Sequence, residues 1–418
     1  MKLAFLTSNR DPSIPLIDND GQPITVRNYT YWLSKFGHHI DIYSYKVIPD
    51  KISNNYFKRK FVLQKDKKVK LFPNVNVIRI DVPSQTTKDL FSSIDLRDMP
   101  EIIQSLVASE YFKDNLLFEY DTICMFHPLA SFGVVFRNFI PLNKAVLFPM
   151  LLSDEYIKFK SVSLIYIQLE QLVLNSVAKI FSTSSDEKNT LRLRGIKNNK
   201  IEVLPRGIDV DIFKHVQKTI SNNPKILRLI TVGSIRPQKR QSILIEVVNQ
   251  LLLNGLDVHL SIIGEKDNFT MDVYKKYYND MKKEISNKKL YKNIEFEGAV
   301  CQQRLSKFYE NSDIAIFPSI SESFGKSVIE SISSGTPTII AKECKAYCDF
   351  AEDGVNSIFS GSNVEEITKS ILMLINNPKL YMKISENGEF IKEGYGWEVV
   401  TRKLEKELVK LLESNQKS

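Results

Sequence analysis

Two carboxylates eight residues apart bracket the segment Glu322-Ser-Phe-Gly-Lys-Ser-Val-Ile-Glu330. Upstream, Asp313-Ile-Ala-Ile-Phe-Pro318 reads as a buried strand closed by proline, and residues 319–323 as a loop. A helix is predicted from about Gly325 to Gly335, a good C-cap followed by Pro337. A helix N-terminus at the end of a parallel strand is an anion site, because unpaired amides point outward and the dipole favours negative charge. Gly325 would let a ligand approach the backbone closely. Eight helical residues span roughly 12 Å, about the reach of a diphosphate with a ring at each end. Carboxylates repel phosphate but accept hydrogen bonds from hydroxyls. The segment therefore suits a sugar nucleotide: Glu322 on sugar hydroxyls, Glu330 on ribose hydroxyls, the diphosphate on the amides between. Taken alone, the same letters are better read as a loop glutamate and a solvated helix glutamate.

The histidines offer a second candidate. Asp121-Thr-Ile-Cys-Met-Phe-His-Pro128 places His127 just past a strand end, where it should face a cleft. A histidine bonded to the backbone at a domain edge is the alternative. None of His38, His39, His127, His215 and His259 is spaced with carboxylates or cysteines as a metal site would be. No Asp-x-Asp sequence sits at a strand end to hold a divalent ion; Asp209-Val-Asp211 has the letters but falls in the segment that leads from the first half of the chain to the second. No metal is expected.

These residues need elements to hold them. Short apolar runs at 2–7, 40–44, 75–81, 122–126 and 145–149 read as buried strands in the first half. Runs at 228–232, 258–263, 294–297, 314–318 and 338–341 repeat the style in the second. Helical patterns fill gaps at 23–36, 99–111, 241–254, 270–287, 302–311 and 326–334. Strand–helix alternation of this kind implies parallel sheets covered by helices. It occurs twice, so the expected fold is α/β, with two doubly wound Rossmann-like domains. Residues 1–216 form the first and 217–396 the second, joined through the polar segment 214–224. The amphipathic helix 397–418 is expected to pack back onto the first. Open α/β sheets bind ligands beyond the carboxyl ends of their strands, so a cleft between the two domains should hold the site.

Composition excludes several classes. The 418 residues are 43% hydrophobic and 25% charged, as in an ordinary globular protein. Cys124, Cys301, Cys344 and Cys348 are too few and too scattered for a disulfide framework. The apolar N-terminal run is too short for a signal peptide. The nearest approach to a membrane span, 161–181, is interrupted by Gln168, Glu170, Gln171 and Lys179. Net charge is +8, and nine basic residues lie between Lys46 and Lys70 against Asp50 and Asp66, interleaved with Tyr56, Phe57, Phe61 and Leu63. Such a segment suits an anionic membrane surface or an anionic acceptor; a solvated, lysine-guarded edge hairpin is the plainer alternative. No nucleic-acid motif accompanies the charge. The chain is expected in the cytoplasm, with attachment to the inner face of the membrane left open.

Several segments together resemble the GT-B-fold retaining glycosyltransferases of family 4. Besides 313–337, Thr231-Val-Gly-Ser-Ile-Arg-Pro-Gln-Lys239 resembles that family's phosphate-binding loop. Ile201-Glu-Val-Leu-Pro-Arg-Gly-Ile-Asp209 with Phe213 resembles its interdomain signature. Glu352-Asp-Gly-Val-Asn356 and Gly396-Trp397 also fit. Asp18-Asn-Asp-Gly-Gln22 is similar to the glycine-rich turn of the sucrose-phosphate-synthase-like branch, with Asp20-Gly21 where paired glycines are usual.

The resemblance implies a metal-independent transferase with no cofactor. A hexose or N-acetylhexosamine would pass from a UDP- or GDP-sugar, UDP favoured, to a hydroxyl acceptor. That acceptor would be a glycan, a lipid-linked sugar or a small molecule. Lys239 matches the phosphate-binding lysine. Ser234 occupies the position of the usual second cation, so either Arg236 replaces it or the charge comes from elsewhere. Gly233, Gly264 and Val300, at strand ends, would supply backbone contacts, Val300 near the nucleobase. Gly21 and Gln22 would approach the donor phosphate or the acceptor. Ser323, Phe324, Gly325, Lys326 and Ser327 would line the diphosphate, with Lys326-Ser327 where apolar residues are more usual. Met150 stands where many members carry an active-site histidine, so either His127 takes a similar role or the histidine is dispensable. Two rival readings remain: a non-catalytic sugar-nucleotide-binding protein, or an epimerase on the same fold.

Overall fold

The computed structural model describes residues 1–7, 21–48, 68–83, 100–114, 116–150, 152, 164–221, 224–265 and 272–417. They form two units. One holds the described residues up to Pro205 together with those from Val400 onward; the other holds Arg206–Val399.

The first unit is built on an eight-stranded sheet: β1 (Lys2–Thr7), β2 (His39–Ile48), β3 (Lys68–Phe72), β4 (Val75–Pro83), β5 (Thr122–Phe126), β6 (Ala145–Phe148), β7 (Lys179–Ser182) and β8 (Ile201–Val203). The order is β3-β4-β2-β1-β5-β6-β7-β8. All neighbours are parallel except the edge hairpin β3–β4. Strands buried on both faces read as unbroken apolar runs, as β1 and β5 do. Phe5, Phe126, Phe148 and Phe181 form a row across β1, β5, β6 and β7, with successive ring centroids 5.3, 4.6 and 5.0 Å apart. Helices α1 (Gly21–Lys35), α2 (Pro100–Ser109), α3 (Phe132–Phe136), α4 (Leu164–Ser176) and α5 (Ser185–Leu193) accompany the sheet. Gly133 brings α3 onto α2: its amide donates to Ser105 Oγ at 2.6 Å, and a Cβ there would lie 2.2 Å from the Ser105 carbonyl oxygen.

The chain's last helix, Trp397–Lys417, buries Val400, Thr401, Leu404 and Leu408 at helical spacing. In the first unit it meets Phe36 through Arg402 (4.1 Å), His38 through Glu405 (2.7 Å) and Lys179 through Glu407.

The second unit carries β9 (Leu227–Val232), β10 (Val258–Ile263), β11 (Ile294–Gly298), β12 (Ile314–Phe317), β13 (Thr338–Ala341) and β14 (Ile358–Ser360). The order is β11-β10-β9-β12-β13-β14, all parallel. This is the doubly wound order, whose direction of winding reverses between β9 and β12. Along β12, Ile314 and Ile316 join one core while Ala315 and Phe317 join another, the period-2 signature of a sheet covered on both faces. The first core is completed by α6 (Ile243–Leu253), α7 (Asp272–Asn287), α10 (Val364–Asn376) and α11 (Pro378–Asn387). The second is completed by α8 (Gln302–Asn311) and α9 (Lys326–Ser333). Both units are thus Rossmann-like, as the alternation of patterns predicts.

The division at Pro205/Arg206 comes ahead of the polar segment 214–224, much of which is docked on the second unit. His215 Nε2 lies 2.7 Å from the Ser385 carbonyl oxygen, and the Val216 amide donates to Ser334 O at 3.2 Å. Gly335, at φ +78°, faces Val216: a Cβ would sit 2.4 Å from the Val216 oxygen. The Lys218 ammonium donates to the carbonyls of Tyr309 (2.7 Å), Glu310 (2.8 Å) and Ser312 (2.5 Å), closing the C-terminus of α8. In α4, Glu170 interrupts the apolar stretch because it is fully buried and paired with Arg194 at 2.5 Å. Among the described residues no helix is long and apolar enough to cross a membrane. Most of the basic segment 46–70 and all of 18–20 lie outside the described residues.

Candidate functional site

The reversal between β9 and β12 places two connections side by side. After β9 the chain runs Gly233-Ser234-Ile235-Arg236 into a short 3-10 turn, Pro237–Lys239. After β12 it runs through 318–324 into α9. The two are joined where the Ile320 amide donates to Gln238 O at 3.3 Å. The consequence is an ion pair between Lys239 Nζ and Glu322 Oε1, with side chains 22% and 14% exposed. The Tyr347 hydroxyl approaches the same oxygen at 3.5 Å.

Gly325 is the N-cap of α9 at φ +93°, ψ +49°, a left-handed conformation that glycine adopts without strain. A Cβ there would lie 2.4 Å from Tyr347 Cε1. No side chain caps α9, so its first amides are presented outward with the positive end of the dipole. Phe324 is 1% exposed and packs on Phe350 and Tyr395, at 5.4 and 6.3 Å between centroids. Its side chain anchors the loop, and only its backbone is available to a ligand.

One turn into α9, Glu330 is only 2% exposed. Lys326 Nζ lies 3.2 Å from its Oε1. Burial pushes the Glu330 carboxyl above the usual carboxylate range; Lys326 and a hydrogen bond from Gln302 pull it back in part, and Asp209 opposes them. Gln302 opens α8, and the Tyr309 hydroxyl of that helix donates to Ser327 O at 2.8 Å. Asp209 lies in the segment that follows Gly207, where a Cβ would collide with the Trp397 ring at 2.4 Å. This contact joins the 201–209 signature to Gly396-Trp397.

Glycines also close the strand ends. The Gly233 amide donates to Ile263 O at 2.9 Å and the Gly264 amide to Gly298 O at 3.0 Å. A Cβ on Gly264 would sit 2.1 Å from Gly233 O. The stem of Lys239 passes 3.6 Å from the Cβ position of Gly233. Val300, 4% exposed, lies in the same core as Phe324.

The second unit thus brings together Lys239, Glu322, Ser323, Gly325, Lys326, Ser327 and Glu330, with Gly233 beside Lys239. Arg236 precedes the turn that carries Lys239, and its guanidinium stands over the Tyr274 ring at 5.1 Å. His127, Gly21 and Gln22 belong to the first unit. His127 follows β5 at φ +80°, donates its amide to Phe148 O at 2.9 Å, and accepts from Ser131 Oγ at 3.1 Å. Met150, after β6, is also left-handed at φ +64°. Gly21 begins α1. Tyr347, Gln302 and Asp209 were not legible as site residues, because each reaches the site through a contact distant in sequence. Among the described residues, no group of three or more His, Cys, Asp or Glu side chains is placed to hold a metal ion.

Residues 212–390 match the family model of the glycosyl transferases group 1. An uncharacterised glycosyltransferase of Methanocaldococcus jannaschii is 27% identical over 220 residues, 52% of this chain and 58% of the relative. The chain spans between half and two thirds of the length of the curated relatives it matches first. Sucrose-phosphate synthase from Thermosynechococcus elongatus superposes with a TM-score of 0.77 at 16% identity, covering 99% of each chain. The Anabaena protein HepE, solved with UDP and glucose, superposes with a TM-score of 0.69 at 16% identity over 98% of this chain and all of that one.

Proposed function

We infer that this chain, similar to the glycosyl transferases group 1 over most of its second unit and of GT-B fold, is a glycosyltransferase. We propose that it transfers a hexose or N-acetylhexosamine from a nucleoside-diphosphate sugar, UDP favoured, to a hydroxyl acceptor with retention at the anomeric carbon. The observation that carries the reading is the uncapped N-terminus of α9, flanked by the Lys239–Glu322 pair on one side and the buried Glu330 on the other. The diphosphate lies on the first amides of α9, Glu330 accepts from the ribose hydroxyls, and Glu322 accepts from hydroxyls of the sugar. Lys239 leaves Glu322 for the phosphate as negative charge grows on the leaving group. The bond from the anomeric carbon to phosphate breaks while that carbon bonds to the acceptor oxygen on the same face. The acceptor's proton passes to a phosphate oxygen. Lys239 and the α9 amides supply the positive charge, so the proposal assigns no resident metal or cofactor. HepE, whose structure contains UDP and glucose, supports the uridine preference by likeness of fold alone.

The test is saturation-transfer NMR with UDP-, GDP- and ADP-sugars, followed by a search for transfer product. Binding of one donor that Glu330→Ala abolishes is the expected result. No donor binding, or an unchanged Glu330→Ala variant, overturns the reading. Binding without transfer or hydrolysis across an acceptor panel favours the non-catalytic alternative. Flotation with anionic liposomes at low salt tests the membrane-side acceptor, and loss of binding is expected when the lysines of 58–68 are neutralised.

A further inference from the structure

Lys326 stands where an isolated helix would least favour it. It opens the first turn of α9, where the dipole repels a cation. It precedes Glu330 by four residues, the weaker orientation for a helical ion pair. Its side chain is only 17% exposed, so most of its length is withdrawn from water. Neither helix stability nor solvation accounts for the placement. Glu330 does: a carboxyl 3% exposed at its side chain would take up a proton unless a cation met it. A protonated carboxyl offers one donor and weakened acceptors. An ionised one accepts two hydrogen bonds side by side, which is what a vicinal diol supplies. The other groups facing Glu330 do not do this work alone. Gln302 helps, Asp209 opposes, and Tyr309 spends its proton on Ser327 O.

We propose that Lys326 is a positioning residue that keeps Glu330 ionised and aimed at the ribose diol of the donor. The proposal rests on Glu330 being the ribose acceptor, and the experiment separates the two claims. UDP, GDP and ADP are titrated calorimetrically into the full chain, and the tightest is compared with its 2′,3′-dideoxy counterpart. Wild type, Lys326→Met, Lys326→Arg and Glu330→Gln are measured at about pH 6 and about pH 8. Lys326→Met should bind the ribonucleotide about tenfold more weakly. The deficit should be larger at the lower pH, nearly absent with the dideoxy nucleotide, and restored by Lys326→Arg. An equal deficit on both nucleotides would mean that Lys326 touches phosphate, and would overturn the inference. So would a normal Lys326→Met beside a defective Glu330→Gln, which would leave the donor reading standing. An unaffected Glu330→Gln would remove the ribose role and this inference with it.

Discussion

Gly325→Ala tests the geometry of the site directly. Two penalties are separable. The left-handed backbone at φ +93° disfavours any L-residue by about 1–2 kcal/mol. The new methyl would also lie 2.4 Å from Tyr347 Cε1 and 3.5 Å from Phe350 Cζ, where carbon contacts prefer about 3.5–4.0 Å. The Tyr347 ring is fully buried and cannot swing into solvent, so relief requires a shift of roughly 1 Å in α9 or in the 345–349 turn. Overpacking of this kind adds about 1–3 kcal/mol. The total, about 2–5 kcal/mol, is a large fraction of a domain's usual stability. Denaturant unfolding of wild type, Gly325→Ala, Tyr347→Ala and the double variant forms a cycle. A favourable coupling of about 1–3 kcal/mol between the two substitutions is expected, because the second removes the collision but not the backbone penalty. Nucleotide affinity should remain reduced in the double variant, since Tyr347 also approaches Glu322. Additive effects, or a neutral Gly325→Ala, would refute the argument that this turn is held by close packing.

Three further outcomes are expected. Replacing Lys326 and Glu330 together by Met and Gln should raise the melting temperature at neutral pH by roughly 2–4 °C while abolishing nucleotide binding. Because the folded Glu330 carboxyl titrates above its unfolded value, its contribution is favourable in acid and lost as pH rises through the folded value. The gain should therefore vanish at about pH 4, and a gain independent of pH would contradict the assignment. Lys218→Met should destabilise the second unit by about 2–4 kcal/mol, as three carbonyls at the end of α8 lose their donor. Burial holds that ammonium down to about 8, so wild type alone should gain stability as pH rises from about 8 towards 10. Lys239→Met should lower kcat/KM for the donor by about 10²- to 10³-fold with a fold unchanged by circular dichroism; an active variant would take Lys239 out of the chemistry.

Local patterns were enough for much of this architecture. The runs at 2–7, 122–126, 258–263 and 338–341 coincide with β1, β5, β10 and β13, because strands buried on both faces must be apolar throughout. The turn at Gly325 was legible because a strand closed by proline, a glycine and a helix pattern are neighbours in sequence. Strands β3, β7, β8 and β14 were not read, being short and dependent on partners already in the sheet. Likewise the polar segment 214–224 has a linker's composition, yet the half-buried Lys218 and His215 bond carbonyls near the ends of α8 and α11 respectively.

By itself, then, the amino-acid order determined the two Rossmann-like units and the pair of carboxylates around one helix start, since both depend on periodicities and spacings within a few residues. Tertiary structure alone decided which charges meet. Lys239 reaches Glu322 across 83 residues, Arg236 meets Tyr274, and Glu330 is buried with Gln302 and Asp209 among the groups that act on it. Such pairings depend on the order of strands β9 and β12 in the sheet, and desolvation on everything packed around them, neither of which is written in local sequence.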